Sequence, residues 1–278
     1  MTSQLADLPW RAVRALLRGL FRLRYPAAKR LVRQIAVDGR PMLVCANEYI
    51  GRELCLFRRF EPGETRLLAG MIRPDDICFD VGANIGYYTC LMAARAASGQ
   101  VHAFEPVAFN CALLNANLQL NNFSNVVCSQ IALSNHQGTT SFSSSEDGAF
   151  SSLIATGRRR ELDSLQVRVD TIDGYVAAQE LPRVDVMKVD VEGAEALLVE
   201  GAMGLLSDPA RRPRLVMMEL TSTNLAPYGV TVTAVLNTMR SVGYRAHALE
   251  LASGCLAPLE GTGRGQSENF FFVPESAC

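Results

Sequence analysis

The run Asp76-Ile77-Cys78-Phe79-Asp80-Val81-Gly82-Ala83-Asn84-Ile85-Gly86 is an apolar segment that ends on an acid and opens through small residues. A strand ending in this way, followed by a helix, suits a nucleoside-bearing ligand. Glycine lets a ligand approach the backbone where a side chain would block it, and the unpaired N–H groups of a helix start favour polar or anionic atoms. A second strand, Val101-His102-Ala103-Phe104-Glu105-Pro106, brings Glu105 to the same sheet edge about 20 residues on, where such folds hydrogen-bond a ribose.

Glycine spacing separates the two cofactor classes that use this geometry. A dinucleotide fingerprint G-x-G-x-x-G begun at Gly82 needs glycine at 84 and 87, which hold Asn84 and Tyr87. An acid at the strand end followed by Gly82 and Gly86 instead resembles motif I of Rossmann-like S-adenosylmethionine-dependent methyltransferases. The resemblance narrows further on Phe60-Glu61-Pro62-Gly63-Glu64-Thr65, on Phe79 to Thr89, on Glu105-Pro106, on Val167 to Asp173 and on Lys188-Val189-Asp190-Val191-Glu192-Gly193-Ala194-Glu195. These blocks occur in the order of the FkbM family of methyltransferases, and the similarity runs from about residue 30 to about 275.

That resemblance implies S-adenosylmethionine as cofactor, with Asp80 near its methionine part and Gly82, Asn84 and Gly86 forming the cradle. It also implies O-methylation of a small hydroxylated metabolite such as a sugar, a polyketide or a lipid-linked glycan. Three alternatives stay open: an N-methyltransferase, an RNA methyltransferase, and a non-catalytic binding module that keeps the cofactor fold.

Methyl transfer from a sulfonium is an in-line displacement, so alignment supplies much of the rate, and a protonated hydroxyl needs a base or a metal beside it. Asp190 is the first candidate. It ends the strand Val184 to Asp190, with Lys188 on the same face, either to orient it or a substrate oxygen or as a purely structural ion-pair member. Glu219 ends the strand Leu215 to Glu219 and projects to the same edge. With Asp190 and Glu192 it could form an all-oxygen site for Mg²⁺. Many members of the family that this chain resembles carry a histidine two residues after this glutamate. Here the position is Thr221, which moves weight to Asp190, Glu219 or a metal.

The elements that must hold these residues follow from the alternation of apolar strands with amphipathic helices from residue 76 onward. The expected fold is α/β, a Rossmann-like class I methyltransferase with a mostly parallel seven-stranded sheet covered by helices on both faces. Strands are expected near 76–81, 101–105, 126–132, 184–190, 214–220, 244–250 and 269–273. Helices are expected near 85–97, 107–121, 194–203 and 231–242. Residues 134–166, with Ser143-Ser144-Ser145 and Arg158-Arg159-Arg160, read as a loop-rich excursion.

Residues 1–70 read as an N-terminal basic helix and hairpin cap, and 71–278 as the methyltransferase domain. The hairpin turns at Asp38-Gly39, and a helix is expected from Glu64 to Ile72. Arg11, Arg14, Arg18 and Arg22 recur at helical spacing beside Trp10, Val13, Leu17, Leu20 and Phe21. This helix either packs on its own domain with a solvated arginine face, the favoured reading, or makes peripheral membrane contact through residues 8–33.

A net charge of -1 argues against bulk nucleic-acid affinity. Eight cysteines with no C-x-x-C pair point to a reducing cytoplasm, and no apolar run approaches the ~20 residues of a membrane span. His102, His136 and His247 read as packing or surface residues.

Overall fold

Strand β3 (Ile77–Val81) forms because a run apolar but for Asp80 alternates between two buried faces, and it stops where Gly82 turns at φ 76°. The structure is a computed structural model that describes residues 15, 17–21, 30–145, 161–250, 253–259 and 267–275. By internal contacts the chain divides into two units, Met1–Phe60 and Glu61–Cys278.

In the first unit, β1 (Val32–Val37) and β2 (Arg40–Cys45) form the expected antiparallel hairpin, with Asp38 and Gly39 both at positive φ in the turn. The helix Tyr49–Phe57 lies so close to β2 that a Cβ on Gly51 would sit 1.9 Å from the Cys45 carbonyl oxygen. Arg18 forms a two-pronged ion pair with Glu53, both contacts 2.6 Å, while Leu17 and Leu20 are exposed. Most of the arginine-rich segment, including Arg11, Arg14 and Arg22, lies outside the described residues.

In the second unit the helix Pro62–Met71 starts at its proline, two residues before the expected Glu64, because proline is pre-set for the first helical position. The central sheet adds β4 (Gln100–Phe104), β5 (Val126–Ser129), β9 (Val186–Val189), β10 (Leu215–Thr221), β11 (Tyr244–Glu250), β12 (Cys255–Pro258) and β13 (Ser267–Pro274). Among the described residues its order is β12-β11-β13-β10-β9-β3-β4-β5. The pairs β5-β4, β4-β3, β3-β9 and β9-β10 are parallel, and those involving β13 or β12 are antiparallel.

All seven expected strands are present. The count of seven is corrected by β12, which pairs with β11 at the edge and whose Gly254 and Pro258 conceal it in the sequence. Residues 134–166 also need correction. Three strands, β6 (Ala132–Leu133), β7 (Gly138–Ser145) and β8 (Glu161–Asp170), form a second sheet in the order β6-β8-β7. Ser143 to Ser145 lie in β7, paired with β8, whereas Arg158 to Arg160 lie outside the described residues.

The expected helices appear as Tyr87–Arg95, Ala108–Leu120 and Val232–Ser241, while 194–203 resolves into Glu195–Glu200 and Met203–Ser207. A further helix, Ile172–Ala178, is capped by Thr171, whose hydroxyl accepts from Gly174 N. Phe79, Phe104, Tyr175, Met187, Val216 and Phe272 share the main core on one face of the sheet, and Ala103, Leu114 and Leu118 cluster on the other. Truncating a buried ring such as Phe79 to alanine would cost about 3–5 kcal/mol.

The amino ends of the central strands are clamped by charge. Arg214 Nη1 donates to Asp76 Oδ1 at 2.8 Å, Ile77 N donates to Asp185 Oδ2 at 2.8 Å, and Arg183 Nε donates to Asp185 at 2.9 Å. The carboxyl ends of the same strands, where ligands bind in open α/β sheets, carry the candidate site.

Candidate active site

Asp80 is fully buried on β3. Its Oδ2 accepts from the Thr89 hydroxyl at 2.6 Å, while Oδ1 has no hydrogen-bond donor and lies 3.8 Å from Lys188 Nζ. Burial pushes its carboxyl up, against the opposing pull of Lys188 and Thr89. Beyond Asp80 the chain turns through three positive-φ residues, Gly82, Asn84 and Gly86. A Cβ on Gly82 would sit 1.8 Å from the Asp190 carbonyl oxygen, so glycine is required where the turns after β3 and β9 nest together.

Glu105 follows β4 on the neighbouring strand tip. Its Oε2 accepts from Asn84 N at 2.8 Å, and its Oε1 accepts from Val107 N at 2.9 Å and Asn110 Nδ2 at 3.3 Å. Burial raises this carboxyl to about 7, against those three donors. The sequence-predicted pair Asp80 and Glu105 therefore flank one turn, and Glu105 also holds that turn in shape. Oε1 already accepts two hydrogen bonds, but Oε2 accepts one and can take a second, which leaves room for a ribose hydroxyl.

At the tip of β9 Lys188 Nζ donates to Gly82 O at 3.1 Å and to Asp190 Oδ2 at 3.4 Å, and lies 5.5 Å from the Tyr88 ring centre. Burial works against its charge, but Asp190, Asp80 and Glu61 outweigh that and raise its pKa. The expected Lys188–Asp190 pairing is present.

The expected Mg²⁺ site at Asp190, Glu192 and Glu219 finds no support in this geometry. Among the described residues no group of three metal-ligating acids, histidines or cysteines comes together, and Glu192 Oε2 instead accepts from Asn224 Nδ2 at 2.7 Å. Glu219 Oε1 lies 3.5 Å from the Thr221 hydroxyl, and β10–β13 pairing sets Glu219 opposite Asn269.

Residues that the sequence reading assigned no role complete this edge. Tyr88 donates its hydroxyl to Glu61 Oε2 at 2.6 Å, and Asn269 Nδ2 approaches Glu61 Oε1 at 3.4 Å. Glu61 is raised to about 7 by burial, partly offset by Tyr88 and reinforced by Glu219, Asp190 and Glu64. The available signal was Pro62. It marks the first helical residue, which leaves at the cap position a glutamate, whose long side chain is a poor cap.

His102 and His247 are buried, whereas His136 is exposed beside Asn135. His102 is buried between Tyr175 and Gln100, and burial lowers its pKa to about 4.

The features fit an adenosyl sulfonium. An acid oxygen without a donor suits a cationic amino-acid moiety, a second acid on the next tip suits a diol, and the glycine turn admits close backbone approach. Comparison with known proteins agrees, since the profile of the Methyltransferase FkbM domain matches residues 80–246. The chain belongs to the FkbM methyltransferase family.

A family relative named Hexuronic acid methyltransferase AglP, from Haloferax volcanii, is 31% identical over 150 residues, which is 53% of this chain and 59% of that protein. Methyltransferase 1 of Beauveria bassiana is 27% identical over 147 residues, 46% of this chain and 59% of that protein. The aligned region thus spans about three-fifths of each relative. Among solved structures, M. jannaschii TYW2 in complex with AdoMet aligns with a TM-score of 0.46 at 12% identity, covering 89% of this chain and 88% of that one. No described helix is long and apolar enough to cross a membrane.

Proposed function

We propose that this FkbM-family chain is an S-adenosylmethionine-dependent O-methyltransferase for a hydroxyl of a small metabolite, with a saccharide as the favoured acceptor class. The observation that carries the reading is the pair of buried acids, Asp80 and Glu105, on adjacent strand tips either side of the Gly82–Gly86 turn. The name of the Haloferax volcanii relative, a hexuronic acid methyltransferase, supports a sugar-derived acceptor.

When bound, the cofactor supplies an electrophilic methyl group on a positively charged sulfur. The residues of this chain do the rest. Asp80 and Glu105 bind and orient the two ends of the adenosyl-methionine skeleton. Lys188, inserted between Asp80 and Asp190, neutralises acids that would otherwise repel each other and fixes the Gly82 carbonyl. Asp190 and Glu219 line the acceptor side, where an incoming hydroxyl needs hydrogen-bond acceptors to aim its lone pair.

Calorimetry with S-adenosylmethionine tests the assignment. Asp80→Ala and Glu105→Ala are each expected to weaken binding at least tenfold, since each removes a hydrogen-bonding charge worth about 1.5–3 kcal/mol. Unchanged affinity in both variants would remove the cofactor site from these strand tips.

A further inference from the structure

Glu61 is held in a way that no structural duty requires. It sits at φ 40° and ψ 63°, the left-handed region that disfavours residues other than glycine, directly before Pro62. As the N-cap of the helix Pro62–Met71 it supplies only its backbone carbonyl, which accepts from Thr65 N at 2.8 Å, and its side chain caps nothing. The carboxylate turns inward instead, to the Tyr88 hydroxyl on the helix after the glycine turn and to Asn269 on β13. It joins Lys188, Asp190 and Glu219 at the carboxyl ends of β9 and β10. Two neutral donors from two separate elements fix its position without a charge of their own.

We infer that Glu61, positioned by Tyr88 and Asn269, is the proton acceptor for the methyl-accepting hydroxyl, a role the sequence reading gave to Asp190. The inference rests on the methyltransferase reading above. The acceptor oxygen forms the new C–O bond while the electron pair of the breaking C–S bond stays with sulfur. The hydroxyl proton passes to the Glu61 carboxylate and from there to solvent. Asp190 is engaged by Lys188, whereas Glu61 is engaged by hydroxyl and amide donors and keeps lone pairs for a proton. A carboxyl raised to about 7 by burial is matched to proton transfer near neutral pH. The groups facing it are Glu64 on its own helix, Tyr88 on the next, Lys188 on β9, Asp190 just after it, and Glu219 on β10.

The test compares two cofactor analogues by calorimetry on the full chain between pH 6 and 8. Sinefungin carries an ammonium where the transferable methyl stands, and S-adenosylhomocysteine carries nothing there. Their affinity ratio cancels contributions common to both ligands, Glu105 included. In the wild type the ratio should favour sinefungin increasingly as pH rises and Glu61 ionises, by roughly tenfold. Glu61→Gln should flatten that rise while S-adenosylhomocysteine affinity holds within about twofold, the sign of an intact fold.

Tyr88→Phe, which removes a donor that favours the carboxylate, should move the rise to higher pH. With labelled S-adenosylmethionine and a metabolite extract, Glu61→Gln should lose about a hundredfold or more of the wild-type transfer rate. An unchanged ratio in Glu61→Gln, or wild-type transfer by that variant, overturns the assignment. Failure of both analogues to bind the wild type overturns the cofactor reading, and this inference with it.

Discussion

Lys188 Nζ donates to the carbonyl oxygen of Gly82 at 3.1 Å, which ties strand β9 to the glycine turn that follows β3. One ammonium thereby serves three oxygens, those of Gly82, Asp190 and Asp80. Removing it strands a buried carboxylate. Lys188→Met should destabilise the protein by about 3 kcal/mol, and the double variant Asp80→Asn/Lys188→Met should recover most of that loss. Denaturant unfolding of the four proteins of this cycle checks it; additive losses would mean that the two side chains are not coupled.

The second prediction concerns backbone. Gly82 combines φ 76° with a contact that leaves a Cβ only 1.8 Å from the Asp190 carbonyl. Gly82→Ala should therefore cost about 3 kcal/mol or more and lower the thermal midpoint by roughly 6–12 °C. Cofactor affinity should fall with it, because the same shift opens the turn that Glu105 holds. Calorimetric scans with and without S-adenosylmethionine would register both effects; a wild-type midpoint would contradict the close approach.

A third prediction follows from Glu195. It is buried at the start of the helix Glu195–Glu200, its Oε1 accepts from Gly193 N at 3.1 Å, and its Oε2 has no partner. Burial raises it from 4.5 to about 7. Between those values the folded chain keeps a proton that the unfolded chain has released, so stability falls as pH rises from about 4.5 to about 7 and levels off above. Glu61 and Glu105 tilt the curve the same way. Glu195→Gln should make the decline of the thermal midpoint between pH 5 and 8 shallower. An identical slope would mean that Glu195 ionises freely in the folded state.

Much of the strand-and-turn geometry around Asp80 was legible in the sequence because its information is local. An apolar run fixes a strand, the acid at its end fixes the tip, and a glycine at positive φ fixes the turn, all within the span from Ile77 to Gly86. The cluster around Glu61 was less legible, since Glu61 meets Tyr88 across 27 positions and Asn269 across 208. Periodicity carries no trace of such a meeting. Ser143 to Ser145 illustrate the other limit. A serine run has weak strand preference, and only pairing with β8 makes it a strand. A cation site is likewise hard to read from sequence, because three acids at one sheet edge need not aim at one point, and Glu192 accepts a hydrogen bond from Asn224.

The arginine clamp around Asp76 and Asp185 lies at the end of the sheet remote from these tips. Strand order is thereby anchored at the end opposite the candidate site, so a substitution at the strand tips would leave these ion pairs in place.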